Sequence, residues 1–266
     1  MEADAVGHRI VHLGDLSVDA AIVDERVIAA IEAGAAVAPL HNRPALAALE
    51  RGRAAVPDAP HVAVSDSGFH RSISREAREY ALPRTRAEIV RRGFHGLAVE
   101  SVVERLDADR IVVCHLGGGC SVTAVQDGRS VDTSMGFTPL EGPPMGTRSG
   151  SLDPGAMLYL LRSGVAVDEL DHELNEESGL LALGGLDDPF GFAHFTYHLA
   201  KAIAAMTAVL GGIDVLAFSG GIGENRADVR DTVSGRLAFL GAFRCEVVPA
   251  REDVVIARHV RGLLNP

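Results

Sequence analysis

The 266-residue sequence predicts a two-lobed α/β protein whose glycine turns face a cleft. Three observations predict it. "RIVVCHLGGGCSVTAV" and "GRSVDTS" (residues 110–134) form a three-stranded β-meander; strand–helix units stand on either side of it; and two glycine clusters, Gly117–Gly119 and the "SGGIGEN" of residues 219–225, each follow a buried strand. Hydrophobic residues make up 47% and aromatics 5%, with no Trp, so the core is built from Ala, Val, Leu and Ile. That length can bury two cores.

The elements follow in order. "HRIVH" is rich in β-branched residues and reads as a strand, with His8, Ile10 and His12 on one face and Arg9 and Val11 on the other. The i,i+4 spacing of His8 and His12 is therefore not a metal signature, and the glutamate of a zincin is missing. Asp24 caps a helix from about Glu25, which ends before the loop "PLHNRP", punctuated by Pro39 and Pro44. "HVAVS" (61–65) is a buried strand delivering Asp66 at its end, where α/β folds place functional carboxylates. From Arg71 to Arg92, glutamates alternate with arginines at helical spacing, predicting a solvated, ion-paired helical face.

After the meander, residues 136–155 form a long glycine- and proline-rich loop carrying Arg148, of a length that is usually functional. Asp153 caps a helix, a polar helix covers about 167–176, and the turn "ESGLLALGGLDDPFG" leads into a strong helix near 191–210. Residues 213–233 give a strand, a glycine loop and a helix; "RCEVVP" (244–249) is a late strand, and a last helix runs from about Glu252 to Leu264.

Composition removes several functions. A net charge of −11 disfavours nucleic acid and anionic membrane as partners. No apolar run approaches a membrane span and no signal peptide opens the chain. Cys114, Cys120 and Cys245 make neither a disulfide framework nor a zinc spacing, so a cytoplasmic location is expected. Lys201 is the only lysine, which excludes a Walker P-loop and makes a Schiff base improbable. The candidate groups that remain are Arg9 and Arg148 for a carboxylate or phosphate, Asp66 and His95 beside small residues, and the two glycine clusters for phosphates. "SGGIGEN" is not the dinucleotide fingerprint, because Arg226 stands at the third glycine position.

Together, "GHRIVH", "APLHN", "SDSGFH", "GFHG", "CHLGGG", "DTSMGFTPLEGPPMGTRSG", "ESGLL", "SGGIGEN" and "EDVVIA" resemble the acetate kinase family, with its propionate and butyrate kinases. The resemblance spans nearly the whole chain. It implies the acetate- and sugar-kinase/actin-like (ribonuclease H-like) α/β fold with its first lobe truncated: residues 1–64 as the remnant of the first lobe, completed by the helix of 252–266, and 65–250 as the second lobe. It implies in-line transfer of the ATP γ-phosphoryl group to acetate, giving acetyl phosphate and ADP, with Mg2+ as the metal. Residue by residue, it implies Asp66, His95 and Arg148 as catalytic. Arg9, Val11, Leu40, Phe94 and Pro139 become substrate-binding, bordered by His41 and Asn42. His115, Gly117, Gly118, Gly119, Gly220, Gly221, Ile222, Gly223, Glu224 and Asn225 become nucleotide-binding, and Glu252 is associated with the metal. It also implies a homodimer formed through the second lobe.

The chain departs from the family pattern at four places. The strand–turn–strand with an asparagine, serines and a lysine that opens family members has no counterpart. Gly118 replaces an asparagine, "HGLAV" replaces "HGTSH", and the Asp-x-Arg after "ESGLL" is absent, with a shortened "GGLDDPFG" in its place. If Met1 is the true start, very weak or no kinase activity is expected, since each missing preorganised donor costs about 10²- to 10³-fold. Three alternatives stay open: a working kinase whose start lies upstream or whose first segment is a separate polypeptide, an inactive remnant that binds carboxylates or nucleotide, and an ATPase or scaffold of the same superfamily.

Overall fold

The computed structural model describes residues 3–14, 16, 18–35 and 39–265, with the side chains of Pro39 and Leu40 outside that description. Two sheets organise them. The first has the order β1–β3–β2, from β1 (Val6–Ile10), β2 (Ala20–Ile22) and β3 (His61–Ser65); β1 and β3 are parallel, and β2 is antiparallel to β3. β3 is buried at every residue, while β1, among the described residues, is an edge strand with a ladder partner on one side. The second sheet has the order β6–β5–β4–β7–β8. Its antiparallel meander is β4 (Arg110–Leu116), β5 (Cys120–Gln126) and β6 (Arg129–Thr133), and β7 (Val215–Ser219) and β8 (Arg244–Val247) continue it in parallel.

Helix α1 (Glu25–Gly34) starts where the sequence places it, with the Asp24 carboxylate accepting from Val27 N–H at 2.8 Å. "PLHNRP" is not a loop: it opens α2 (Pro39–Ala55). Pro39 occupies the first helical position, where a missing N–H costs little, and Pro44 gives up one backbone bond. Asn42 offsets that loss. It is fully buried, accepts from His12 N–H at 3.1 Å, and donates to His12 O at 2.7 Å and Ile31 O at 2.9 Å, tying α2 to α1 and the end of β1.

The arginine-rich stretch is also corrected. Instead of one helical face it forms short turns at Gly68–Ser72, Arg75–Arg78 and Arg84–Arg86, because extended backbone at Ile73 and Glu79 and then Pro83 interrupt it. Its ion pairs are real but mostly non-helical: Arg71 with Asp19 and Arg91 with Glu141, beside Arg75 with Glu79. The polar helix beyond residue 166 spans Val167–His172 and then widens into a π turn at Glu173–Glu177.

One helix links the sheets through its two faces. α3 (Gly96–Val103) shares Leu97 with Val62 and Val64 of the first sheet, and Val99 and Val102 with Ile111 and Val215 of the second. Helices α4 (Pro154–Arg162) and α5 (Pro189–Leu210) are capped by Asp153 and Asp188, and α5 buries Phe195, Leu199 and Ile203 against the second sheet. The "SGGIGEN" cluster is a helix and not a loop: α6 (Gly220–Asn225) begins directly after β7, and α7 (Ala227–Arg236) follows. Finally α8 (Glu252–Leu264) returns to the first sheet, placing Val255 and Val260 against Val62 and Val64. Its approach is so close that a Cβ on Gly7 would lie 2.5 Å from Ile256 Cγ2.

Candidate active site

The strand ends and helix starts of both sheets converge on one row of charged groups. Asp66 follows β3 and is buried. Its Oδ2 accepts from Arg9 Nη2 at 2.9 Å and from His95 N–H at 3.0 Å, and its Oδ1 from Leu97 N–H at 3.4 Å. Burial alone would raise this carboxyl, but Arg9, His95 and the bonds they donate hold it below its ordinary value. On the other side of Arg9, Nε lies 3.1 Å from Oε2 of Glu252, the first residue of α8. Burial raises Glu252, and Asp66 adds to this against the pull of Arg9. One guanidinium therefore bridges two carboxylates from different elements.

His95 precedes α3 with left-handed backbone (φ 60°), which turns its ring from β3 toward the second sheet. There its Nδ1 is 3.1 Å from Ser121 Oγ, and its ring lies 4.6 Å from that of His115. Burial first, then His115, drives its pKa well below the ordinary value, so His95 is neutral at neutral pH. Ser121 and Ser219 are the ladder partners of His115 on β5 and β7, and His115 Nδ1 is 3.0 Å from Ser219 Oγ. Ser121 escapes a motif search and Ser219 enters it only as the first residue of "SGGIGEN"; the signal of both is a small hydroxyl residue at the end of a buried strand.

Arg148 approaches from the long loop. Its Nη2 is 3.3 Å from His41 Nε2, and its Nη1 makes long contacts to Pro139 O (3.5 Å) and Met145 Sδ (3.8 Å). No carboxylate pairs with it among the described residues, and burial lowers its pKa. His41 Nδ1 is buried without a partner, and burial followed by Arg148 and Arg9 keeps this imidazole neutral. Gly119 faces the same point: a Cβ there would stand 3.1 Å from His95 Nε2 and 3.3 Å from Arg148 Nη1. A neutral histidine and a half-buried arginine without a counter-ion thus share a space kept open by glycine, an arrangement suited to an incoming anion.

Among the apolar residues named from the sequence, Val11 and Phe94 are buried in the main core cluster with Met135 and Met145, and Pro139 is buried beside Arg148. The side chain of Leu40 lies outside the described residues. The loop holding Pro139 and Arg148 is clamped from outside. Arg91 Nη1 donates to the carbonyls of Thr133, Ser134 and Met135 at 2.8–3.2 Å, and its Nη2 to Glu141 at 2.8 Å. Tyr80 donates to Glu141 and accepts from Phe137 N–H at 3.1 Å. Sequence reasoning missed this clamp, reading Arg91 as surface.

The glycine clusters meet: a Cβ on Gly117 would be 4.0 Å from Gly221 N. Gly220 (φ 77°) crosses Leu116 so closely that a Cβ would lie 2.6 Å from its carbonyl oxygen. Glu224 Oε1 accepts from Gly220 N–H at 3.0 Å and Asn225 Nδ2 donates to Gly221 O at 2.9 Å, so both side chains turn onto their own helix. Gly223 is buried and Ile222 packs on the core, whereas Gly118 is exposed, with nothing within 4 Å of a Cβ placed on it.

For a metal, the donors are the oxygens of Asp66 and Glu252. No group of three His, Cys, Asp or Glu side chains forms a cage among the described residues. A magnesium ion fits this donor set, since it is held by one or two carboxylates with phosphate oxygens and water completing its shell. Among the described residues no helix is long and apolar enough to cross a membrane.

Comparison with known proteins gives the family and the fold. Residues 1–258 match the model of the acetokinase family. Acetate kinase of Heliobacterium modesticaldum is 38% identical over 99% of this chain and 79% of its own length, and that of a Synechococcus species 43% identical over 99% and 77%. The Heliobacterium alignment runs over 313 positions, longer than the chain itself, so that relative carries internal segments missing here. Among solved structures, a propionate kinase from Francisella tularensis superposes with a TM-score of 0.89 at 33% identity, covering 96% of this chain and 78% of that one. Porphyromonas gingivalis acetate kinase gives 0.88 at 31%, covering 99% and 79%. The α/β fold is that of these kinases, and the chain belongs to the acetokinase family.

Proposed function

We propose that this chain is built for phosphoryl transfer between ATP and a short carboxylate, acetate first, with propionate tolerated because one extra methylene changes binding by only about 1–3 kcal/mol. The observation that carries the proposal is Arg148: a guanidinium with no carboxylate partner, pointing with neutral His95 into the space beside Gly119. Acetate enters with its methyl group toward Val11, Phe94 and Pro139 and its carboxylate toward the arginines. A carboxylate oxygen attacks the γ-phosphorus, the bond to the β,γ-bridging oxygen breaks, and acetyl phosphate and ADP result with no proton transferred.

Such a transfer asks the protein for position and charge. Arg148 and Arg9 neutralise the migrating phosphoryl group. With Ser121 donating to Nδ1 of His95, its Nε2–H is left to donate to an equatorial phosphoryl oxygen. Asp66 fixes Arg9 and the backbone of His95 at once. Bound at Asp66 and Glu252, Mg2+ supplies charge neutralisation for the ATP phosphates. The touching glycine clusters, with His115 behind them, bring backbone N–H groups to the nucleotide. In this reading the chain divides into two lobes just after β3, one holding the first sheet with the last helix and the other the second sheet, and two copies associate as a homodimer through the second.

The second reading, a chain that binds small carboxylates without turnover, is favoured by Gly118, which offers the nucleotide no side chain. Incubation with acetate, MgATP and hydroxylamine, which traps acetyl phosphate as the hydroxamate, separates the two, run on this chain alone and with a phosphate-binding segment supplied. Acetyl phosphate binding is followed by calorimetry in parallel. If no arm gives turnover and Arg148→Ala leaves acetyl phosphate binding unchanged, the assignment fails.

A further inference from the structure

A second pair of histidines at i,i+4 stands on a helix. His194 and His198 lie one turn apart on α5, which puts both imidazoles on the same face. Their ring centroids are 4.4 Å apart, with the planes inclined by 40°. Phe190 lies 5.9 Å from His194, and Tyr197 stands edge-on to His198 at 5.3 Å, so an aromatic ring flanks each imidazole.

These rings lack the partners that structural histidines in the same molecule have. His70 has Ser130 Oγ at 2.9 Å on one nitrogen and Phe94 O at 3.0 Å on the other; His61 has His8 at 2.8 Å and Val56 O at 3.0 Å. Neither His194 nor His198 makes a hydrogen bond among the described residues, and His194 Nδ1 is shielded from water with nothing to bond. Neutral imidazoles with free lone pairs, one helical turn apart, are the ligand pair that holds borderline divalent metals in helical sites. Oxygen-seeking magnesium is not the ion such a pair selects.

We propose that His194 and His198 form a two-histidine site for a divalent transition metal of the zinc or nickel type, with water completing the coordination. The helix backbone supplies the spacing, one turn between the two imidazoles. The site does not involve the groups around Arg148, so it stands or falls independently of the phosphotransfer reading.

The test uses the untagged full chain, freed of metal by EDTA and titrated with Zn2+ against a chromophoric chelator. One equivalent per chain is expected, with affinity at least tenfold weaker in His194→Asn and in His198→Asn. It should be unchanged in His172→Gln, which removes an exposed histidine 3.8 Å from Glu176 and 3.2 Å from Glu177. On the unaltered chain, Zn2+ should slow carbethoxylation of His194 and His198, mapped by peptide mass, and leave His172 unaffected. Zn2+ binding that survives the double variant, loss of binding in His172→Gln, or no protection of the pair would overturn the proposal.

Discussion

Arg148 and Gly118 carry opposite expectations. On the proposed function, Arg148→Ala should lose about 10²- to 10³-fold in acetate-dependent turnover, with the thermal midpoint little changed because no described carboxylate is stranded. Arg9 differs. Truncating it leaves Asp66 buried and Glu252 half-buried without their counter-charge, so Arg9→Ala should lose stability along with function. Gly118→Asn adds a side chain into open space, and tighter ADP binding at unchanged stability is expected by calorimetry. At this scale the sequence was informative where chemistry is rare: Arg9, Asp66, His95 and Arg148 stand out by type and by glycine neighbours. Ser121, Ser219 and the inward turn of Arg91 did not, because a serine in a strand or an arginine in a charged run looks the same whether its partner is a ring nitrogen, a carbonyl or water.

Elements position these residues, and two contacts show how. Gly7 lets α8 lie against β1, so Gly7→Ala must push the helix outward and move Glu252 from Arg9. A cost of about 1–3 kcal/mol is expected in urea unfolding, together with weaker Mg2+ dependence of any turnover. Tyr80 holds the loop of Pro139 and Arg148 through Glu141, and burial with that bond raises its phenol from 10.0 to about 12. The folded value exceeds the unfolded one, so this contribution is complete below pH 10 and is lost as pH rises through about 12. Tyr80→Phe should remove that alkaline loss, measured as unfolding midpoints between pH 9 and 12, and should cost about 1 kcal/mol below it. Strands and capped helices were legible because periodicity and Asp caps are local. The helix through Pro39 and Pro44 was not, since its compensation comes from Asn42 reaching α1 and β1, neighbours that no local window contains.

For the whole molecule, histidine burial sets the acid limit. The imidazoles of His8, His41, His70, His95, His115 and His198 are held below 6.5, burial being the first cause in each. His259 is raised by its bond to Glu100. A lowered imidazole gives its full contribution above its unfolded value and loses it as pH falls; His259 gives its contribution below that value and loses it as pH rises. The balance predicts a lower urea midpoint at pH 5.5 than at pH 7.5, before the carboxylates titrate.

The edge position of β1 has a kinetic consequence. In a parallel edge strand alternate amides point away from the only neighbour, so their protons exchange with solvent without waiting for the sheet to open. The two edge strands, β1 with Arg9 and β2, are therefore expected to label faster than β3, which is paired on both sides. Anything that completes the ladder on that side would register as sudden protection of β1, giving a direct clock for its arrival.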